Sequence, residues 1–267
     1  MLHTGRWRIV SILPLLIGLL MGFALAPAAT AQPAGGPSVL PDALGTVDSL
    51  RRAGAFPEAR ARLRALREDH SGEVAVLWRL VYTLADLGQA TEQPDARTRY
   101  YSRALQAAKA ALAADSTSGH AHLAMAVAEG RAALDAGTRE RIERSRAVKR
   151  HADRAIALDS TLDGAYHVRG RWHREVEDIG FFKRAIVRTV YGGLPESSIE
   201  QAVRDFEQAI ALHDEVFHRL ELGKTYLQMD RPAAARRALR AALEMPSEGP
   251  FDPDYKAEAR ERLDDLD

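Results

Sequence analysis

Leu222-Gly223-Lys224-Thr225-Tyr226, then Ala235-Arg236-Arg237-Ala238-Leu239-Arg240-Ala241-Ala242, then Pro246, is the stretch on which the fold turns. Ala235, Leu239 and Ala242 are spaced four then three, which puts all three on one face of a helix. Small residues on that face let a second helix approach closely. The same spacing recurs upstream as Ala59/Leu63/Leu66, Ala104/Ala108/Ala111, Val148/Ala152/Ala155 and Ala202/Phe206/Ala209. Each triad follows another helical segment. These carry Leu77, Trp78 and Tyr82; Leu123 and Val127; Tyr166, Gly170 and Trp172; and Leu222, Gly223 and Tyr226. No alternating strand pattern of useful length appears, so the chain is expected to be all-α. Such helix pairs cannot bury their faces alone, and stacking them does it.

Leu222-Gly223 with Tyr226, the triad from Ala235 to Ala242 and the closing Pro246 match the tetratricopeptide pattern. The triads begin at 59, 104, 148, 202 and 235, giving steps of 45, 44, 54 and 33 residues. Only the last is near the ~34-residue unit, so the middle repeats are expected to have longer helices or inserts. Similar endings close three of the helices: Ala114-Asp115-Ser116-Thr117, Leu158-Asp159-Ser160-Thr161 and Leu212-His213-Asp214. Asp254 to Leu266, with Tyr255, Ala259, Leu263 and Leu266 as its apolar edge, is expected to cap the array. The predicted fold is a tetratricopeptide-like solenoid of about five helix pairs over residues 42–267, with an inserted helix and a C-terminal capping helix. Gly170, Trp172, Phe206, Gly223 and Tyr226 are read as structural.

Composition bounds the function. The chain has 267 residues, 37 basic and 37 acidic, so its formal charge is zero; it has no Cys and no Asn, and 32 of the basic residues are Arg. Balanced charge argues against a nucleic-acid binder. The lack of Cys excludes disulfides, thiol catalysis and Cys-ligated metal. Arg6 and Arg8 precede an apolar run from Ile9 to Ala26, and Ala29-Thr30-Ala31 supplies small residues at cleavage-site spacing. This is the secretory pattern, so residues 1–31 are expected to be a signal peptide and 32–41 a linker. The expected product is periplasmic or secreted, the alternative being an uncleaved anchor facing the periplasm. Cleavage removes two arginines and no acid, which leaves a net charge of −2.

The helix ending His151-Ala152-Asp153-Arg154-Ala155-Ile156-Ala157-Leu158 leads to Gly170-Arg171-Trp172 and the apolar-basic insert Ile179-Gly180-Phe181-Phe182-Lys183-Arg184-Ala185. Ala202, Phe206 and Ala209 come next, and the final repeat ends Leu243-Glu244-Met245-Pro246. In this order the second half resembles the regulator of microtubule dynamics family of tetratricopeptide proteins, over about 130 residues. Gly-Arg-Trp followed by the insert is the specific part. The resemblance implies a helical-repeat protein without established catalysis. It also implies ties to microtubules and organelle contacts and, in one branch, lipid binding and transfer. An exported chain would meet no microtubules.

Catalytic signals are not found. His173-Arg174-Glu175-Val176-Glu177 lacks the second His of a zinc-protease helix, and there is no phosphate-cradling Gly loop or G-x-S-x-G elbow. No metal, cofactor or catalytic residue is therefore expected. In such solenoids the first helix of each pair lines the concave surface. That places His167, Arg171 and Arg174 in one repeat, Lys224 with Leu220 in the next, and Arg131 with Leu123 and Val127 in the previous one. A partly basic groove with an apolar floor would suit a carboxylate, a phosphate headgroup or an acidic peptide. The competing reading pairs these arginines with Glu175, Glu177 or Glu221. In the insert, Ile179, Phe182, Ile186, Val187 and Val190 fall near one helical face, with Lys183, Arg184 and Arg188 elsewhere. Packing on its own domain is the favoured reading, with the wall of the groove as one placement, and membrane contact through 179–190 is the other. The expected function is a non-enzymatic exported scaffold binding a protein or peptide in its concave groove. The alternative is a carrier of a lipid or other amphipathic anionic ligand.

Overall fold

The five triads lie on the second helices of five stacked pairs. A computed structural model describes residues 39–266, all within one compact unit. The pairs are α1 (Val39–Arg52) with α2 (Phe56–Asp69), α3 (Val74–Ala90) with α4 (Pro94–Ala114), and α5 (Gly119–Ala133) with α6 (Thr138–Leu158). They continue as α7 (Asp163–Glu177) with α9 (Ile199–Leu212), and α10 (Val216–Gln228) with α11 (Pro232–Glu244). Helix α8 (Phe181–Tyr191) is inserted in the fourth pair, and α12 (Asp252–Asp264) packs on α10 and α11 as the cap. Among the described residues there is no strand, and no helix is long and apolar enough to cross a membrane. The expected signal peptide lies outside the described residues. Helix α1 begins at Val39, within the stretch 32–41 that the sequence reading takes as a linker.

Every triad residue is buried except Leu66, which is half-buried. The irregular steps have a simple origin. Helices α4 and α6 each run 21 residues against 13 in α11, and α8 lengthens the fourth unit. The repeated endings are also explained. Asp115 Oδ1 accepts from the Thr117 backbone N–H (2.7 Å) and hydroxyl (2.6 Å), and Asp159 does the same with Thr161 (2.9 and 2.6 Å). Each carboxylate thus turns the chain out of its helix and satisfies it at the corner. These hydrogen bonds hold both carboxyls below the ordinary range. Ser118 and Ser198 cap α5 and α9, accepting from Ala121 and Gln201 N–H.

Glycine sets the closeness of the pairs. A Cβ on Gly223 would sit 2.6 Å from Leu239 Cδ2 and 2.7 Å from its Cγ, and one on Gly170 would sit 3.1 Å from the Phe206 ring. Leu239 is fully buried and has nowhere to move. Gly223→Ala is therefore expected to cost about 1–3 kcal/mol by overpacking, read as a lower urea midpoint. An unchanged midpoint would show that the contact yields.

Candidate functional site

The first helices of successive pairs pack on one another, α1 on α3, α3 on α5, α5 on α7 and α7 on α10, and α12 packs on α10; the inner surface they form holds charged groups that neutralise one another. Glu221 on α10 is its hub. Its side chain is 8% exposed, with Arg174 Nη2 2.8 Å from Oε2 and Lys224 Nζ 3.0 Å from Oε1. Lys224 also meets Glu258 of α12 at 2.9 Å. Arg171 Nη2 donates to Glu175 Oε1 at 2.8 Å. Burial alone would raise the Glu221 carboxyl, but Arg171, Arg174 and Lys224 more than offset it and hold it below the ordinary range. For Arg171, burial opposes the charged form and loses to the charges of Glu221 and Glu175, so its pKa is raised.

Arg171, Arg174 and Lys224 are thus brought together, around an acid. The basic groove takes the form of ion pairs with Glu175, Glu221 and Glu258. Arg131 lies one step along, its Nη2 donating to Gln89 Oε1 at 2.5 Å. Gln89 Nε2 in turn reaches the Tyr255 hydroxyl of α12 at 3.2 Å. At the edge of the inner surface Phe251 stacks on Phe56 of α2, with ring centroids 5.6 Å apart and planes 15° apart. The C-terminal segment therefore spans from the last pair to the first two. The expected apolar floor is displaced: Leu123 and Leu220 are buried in the core, Leu220 against Val216 and Leu239. What lines the surface instead is polar and aromatic.

His167 is paired with a second histidine. Its Nδ1 lies 2.9 Å from Nδ1 of the fully buried His218, whose Nε2 is 3.1 Å from Asp163 Oδ2. With His218 Nε2–H donating to the carboxylate, His218 Nδ1 is the acceptor and His167 Nδ1–H the donor. Phe206 and Phe217 present their rings edge-on to His167. Burial, then the nearby His218, Arg171, Arg131 and Arg174, pushes the His167 pKa well below 6.5. His151, hydrogen-bonded to His122, is pushed down to about 4, first by burial and then by His122 and Arg150. Unfolding returns both to about 6.5, so the unfolded chain binds more protons below that value. Their stabilisation is present above about pH 6.5 and is lost as the pH falls. Melting temperatures are expected to drop between about pH 7.5 and about pH 5, and a flat profile would contradict the assignment.

The insert does not wall this surface. Helix α8 packs on α6, where the Arg146 guanidinium donates to the Tyr191 and Gly193 carbonyls at its C-terminal end. Beneath it is a cavity of about 400 Å³ lined by Val176, Ile179, Ala185, Val187, Leu194 and Pro195 with Arg188 and Glu196. A second cavity of about 400 Å³, between α6, α7 and α9, is polar and includes Lys149, Arg169, His173 and Arg204. Its charges are largely satisfied internally, Arg169 by Asp205 and Asp153, and Lys149 by Asp153. His173 Nδ1 accepts from Ser198 N–H at the start of α9. No group of three or more His, Asp or Glu among the described residues is arranged to hold a metal.

Trp172 is 4% exposed and its Nε1 donates to Ser145 O at 2.8 Å. Phe206 is fully buried, and Tyr226 packs beside it with its hydroxyl donating to Glu207 at 3.0 Å. His218, Gln89, Tyr255 and Glu258 were not picked out by sequence as site residues. Their partners lie on helices far away in the chain, and no local spacing marks them. The same approach of Gly to its paired helix recurs at Gly88 against Tyr101, a signal that the sequence does carry.

Residues 43–267 match the family described as regulator of microtubule dynamics protein 1-3. The chain belongs to this family. Mouse regulator of microtubule dynamics protein 1 is 27% identical over 227 residues, covering 84% of this chain and 73% of that protein. Rat regulator of microtubule dynamics protein 3 is 26% identical over 173 residues, covering 64% of this chain but 37% of its own length. The structure of a thermophilic tetratricopeptide-repeat protein from Thermus thermophilus superposes with a TM-score of 0.62 at 18% identity, covering 84% of this chain and 98% of that one. As a family member, the chain keeps the tetratricopeptide fold that its triads imply.

Proposed function

We propose that this family member is an exported, non-catalytic helical-repeat protein that holds a polypeptide segment of a partner against its inner surface. The supporting observation is that this surface already holds a segment, the chain's own, with Tyr255 bonded to Gln89 of α3 and, at its edge, Phe251 stacked on Phe56 of α2. The contacts are those a foreign peptide would use, ring on ring and amide to phenol. Arg171 Nε and Arg174 Nε are buried without a hydrogen-bond acceptor, and a partner carboxylate that displaced residues 250–255 would supply one. The favoured partner segment is therefore acidic and aromatic, and it enters by displacing residues 250–255. The non-catalytic reading rests on how the titratable groups are spent. The Asp163–His218–His167 chain ends against phenylalanine rings rather than a hydroxyl. The relatives' names concern microtubule dynamics; an exported chain would meet no microtubules, so we place the partner among exported polypeptides. An amphipathic ligand in a groove walled by the insert is the weaker reading, because α8 packs on α6.

Phage-displayed peptides panned against the parent and against Phe251→Ala/Tyr255→Ala test this. Acidic, aromatic peptides enriched on the variant, and released by Arg171→Ala, are the expected result. Failure to enrich on either protein would end the reading. Export is tested separately by the mass of the protein recovered from a bacterial periplasm. A chain beginning at Gln32 is expected, and full-length protein retained in the cytoplasm would overturn it.

A further inference from the structure

Helix α8 is built unlike the other helices around it. Its eleven residues, Phe181–Tyr191, include Lys183, Arg184 and Arg188 and no acid, in a chain whose formal charge is zero. Among the described residues only four large hydrophobic side chains are exposed, and two of them, Ile186 (57%) and Val190 (63%), stand one turn apart on this helix. Phe182 precedes Ile186 by the same four-residue step. Arg188 is exposed, with no carboxylate within ion-pair distance among the described residues. The helix is nevertheless positioned. Arg146 holds the Tyr191 and Gly193 carbonyls, Gly192 ends the helix in the left-handed conformation (φ 75°), and Ala185 and Val187 face the cavity shared with Val176, Ile179 and Leu194.

We propose that α8 is a membrane-docking element that lies in the plane of a bilayer surface carrying anionic headgroups, with Ile186 and Val190 inserted. Charge selects this occupant. A helix with three cations and no anion is attracted to an anionic sheet, each basic residue adding to the attraction. A second copy would set these cations against their own image and repel. Size points the same way. Eleven residues of helix span about 16 Å, and one face of that length falls well short of the roughly 800 Å² per partner that a stable protein interface buries. An amphipathic helix with apolar residues outward and basic flanks is the usual interfacial form. Docking through α8 would leave the inner surface, built on the other helices, free to engage its partner.

The test uses the chain from Gln32 onward, which keeps the whole compact unit and omits the apolar run at 9–26. It is co-sedimented with vesicles of equal parts phosphatidylcholine and phosphatidylglycerol, and with phosphatidylcholine alone. Binding to the anionic vesicles only is expected, weakened by salt. Arg188→Glu changes the local charge by two units and is expected to weaken it roughly 30-fold. Ile186→Glu/Val190→Glu is expected to abolish it with an unchanged melting temperature, because both side chains are exposed in the folded protein. Equal binding to neutral vesicles, or full binding by the double variant, would overturn the proposal. So would self-association that the double variant abolishes, since the face would then belong to a second copy.

Discussion

Glu221→Ala is expected to lower the unfolding free energy by about 3–5 kcal/mol, the cost of removing one partner from a buried ion pair. Glu221 is 6% exposed overall, and Arg174 beside it has a side chain only 14% exposed. Without the carboxylate, Arg174 keeps, among the described residues, only Glu175 at 3.8 Å. Lys224 loses one acid and retains Glu258. Two cations, with Arg171 nearby, would then face one another in a poorly hydrated space. Glu175→Ala is the control. Glu175 is 55% exposed and bonded to Arg171 at the rim, so its loss should cost no more than about 1 kcal/mol. Urea denaturation of both variants checks the contrast, and equal losses would mean that the inner surface is better hydrated than its packing implies. The pH dependence has a definite sign. The folded carboxyl is held below its ordinary 4.5, so its stabilisation is complete above that value and is lost as the pH falls through it. The acid loss of Glu221→Ala should therefore be shallower than the parent's.

Much of the fold was legible because its signal is local. A small-residue triad spaced four then three needs only one helix to be recognised, and the burial of Ala235, Leu239 and Ala242 follows from the same periodicity. The array length, the insert and the cap were also readable, since each is a segment with its own pattern. The inner surface was only partly readable. Placing Arg171, Arg174 and Lys224 on it required only a repeat alignment. Knowing that they converge on Glu221 required the rotation between α7 and α10. Phe56 and Phe251 are separated by nearly the whole domain, and they meet because small rotations between successive pairs accumulate, a sum that no window of sequence contains. Leu220 was misplaced for a geometric reason. It shares a helix with His218, Glu221 and Lys224, but it faces Leu239 while Glu221 faces Arg174. The insert was legible as a helix packed on its own domain, but the place where it packs was not. Its apolar stripe was visible, but whether the stripe turned inward depended on Arg146 fastening its end to α6.

Trp172→Ala is expected to cost about 3–5 kcal/mol, the range for deleting a large buried aromatic. The ring is 4% exposed among Val148, Val168, Val176 and Leu194, so α6, α7 and the chain leaving the insert all meet on it. Its Nε1–H donates to both Ser145 O (2.8 Å) and Oγ (2.9 Å), and the alanine would leave those acceptors facing a void. Trp172→Phe separates the two contributions, since it keeps most of the packing and loses the donor. A loss of about 1–3 kcal/mol is expected there. Because Leu194 begins the return from α8, the alanine variant should also raise amide exchange through 181–195 more than through α10 and α11. Arg171, the preceding residue, provides the opposing case. Successive helix positions point about 100° apart, so Arg171 turns to Glu175 and the inner surface while Trp172 turns to α6. Arg171 is 42% exposed, and Arg171→Ala should cost no more than about 1 kcal/mol while weakening an acidic peptide. If both alanine variants melted alike, Arg171 would be part of the scaffold, and the inner surface would lose the residue best placed to recognise a carboxylate.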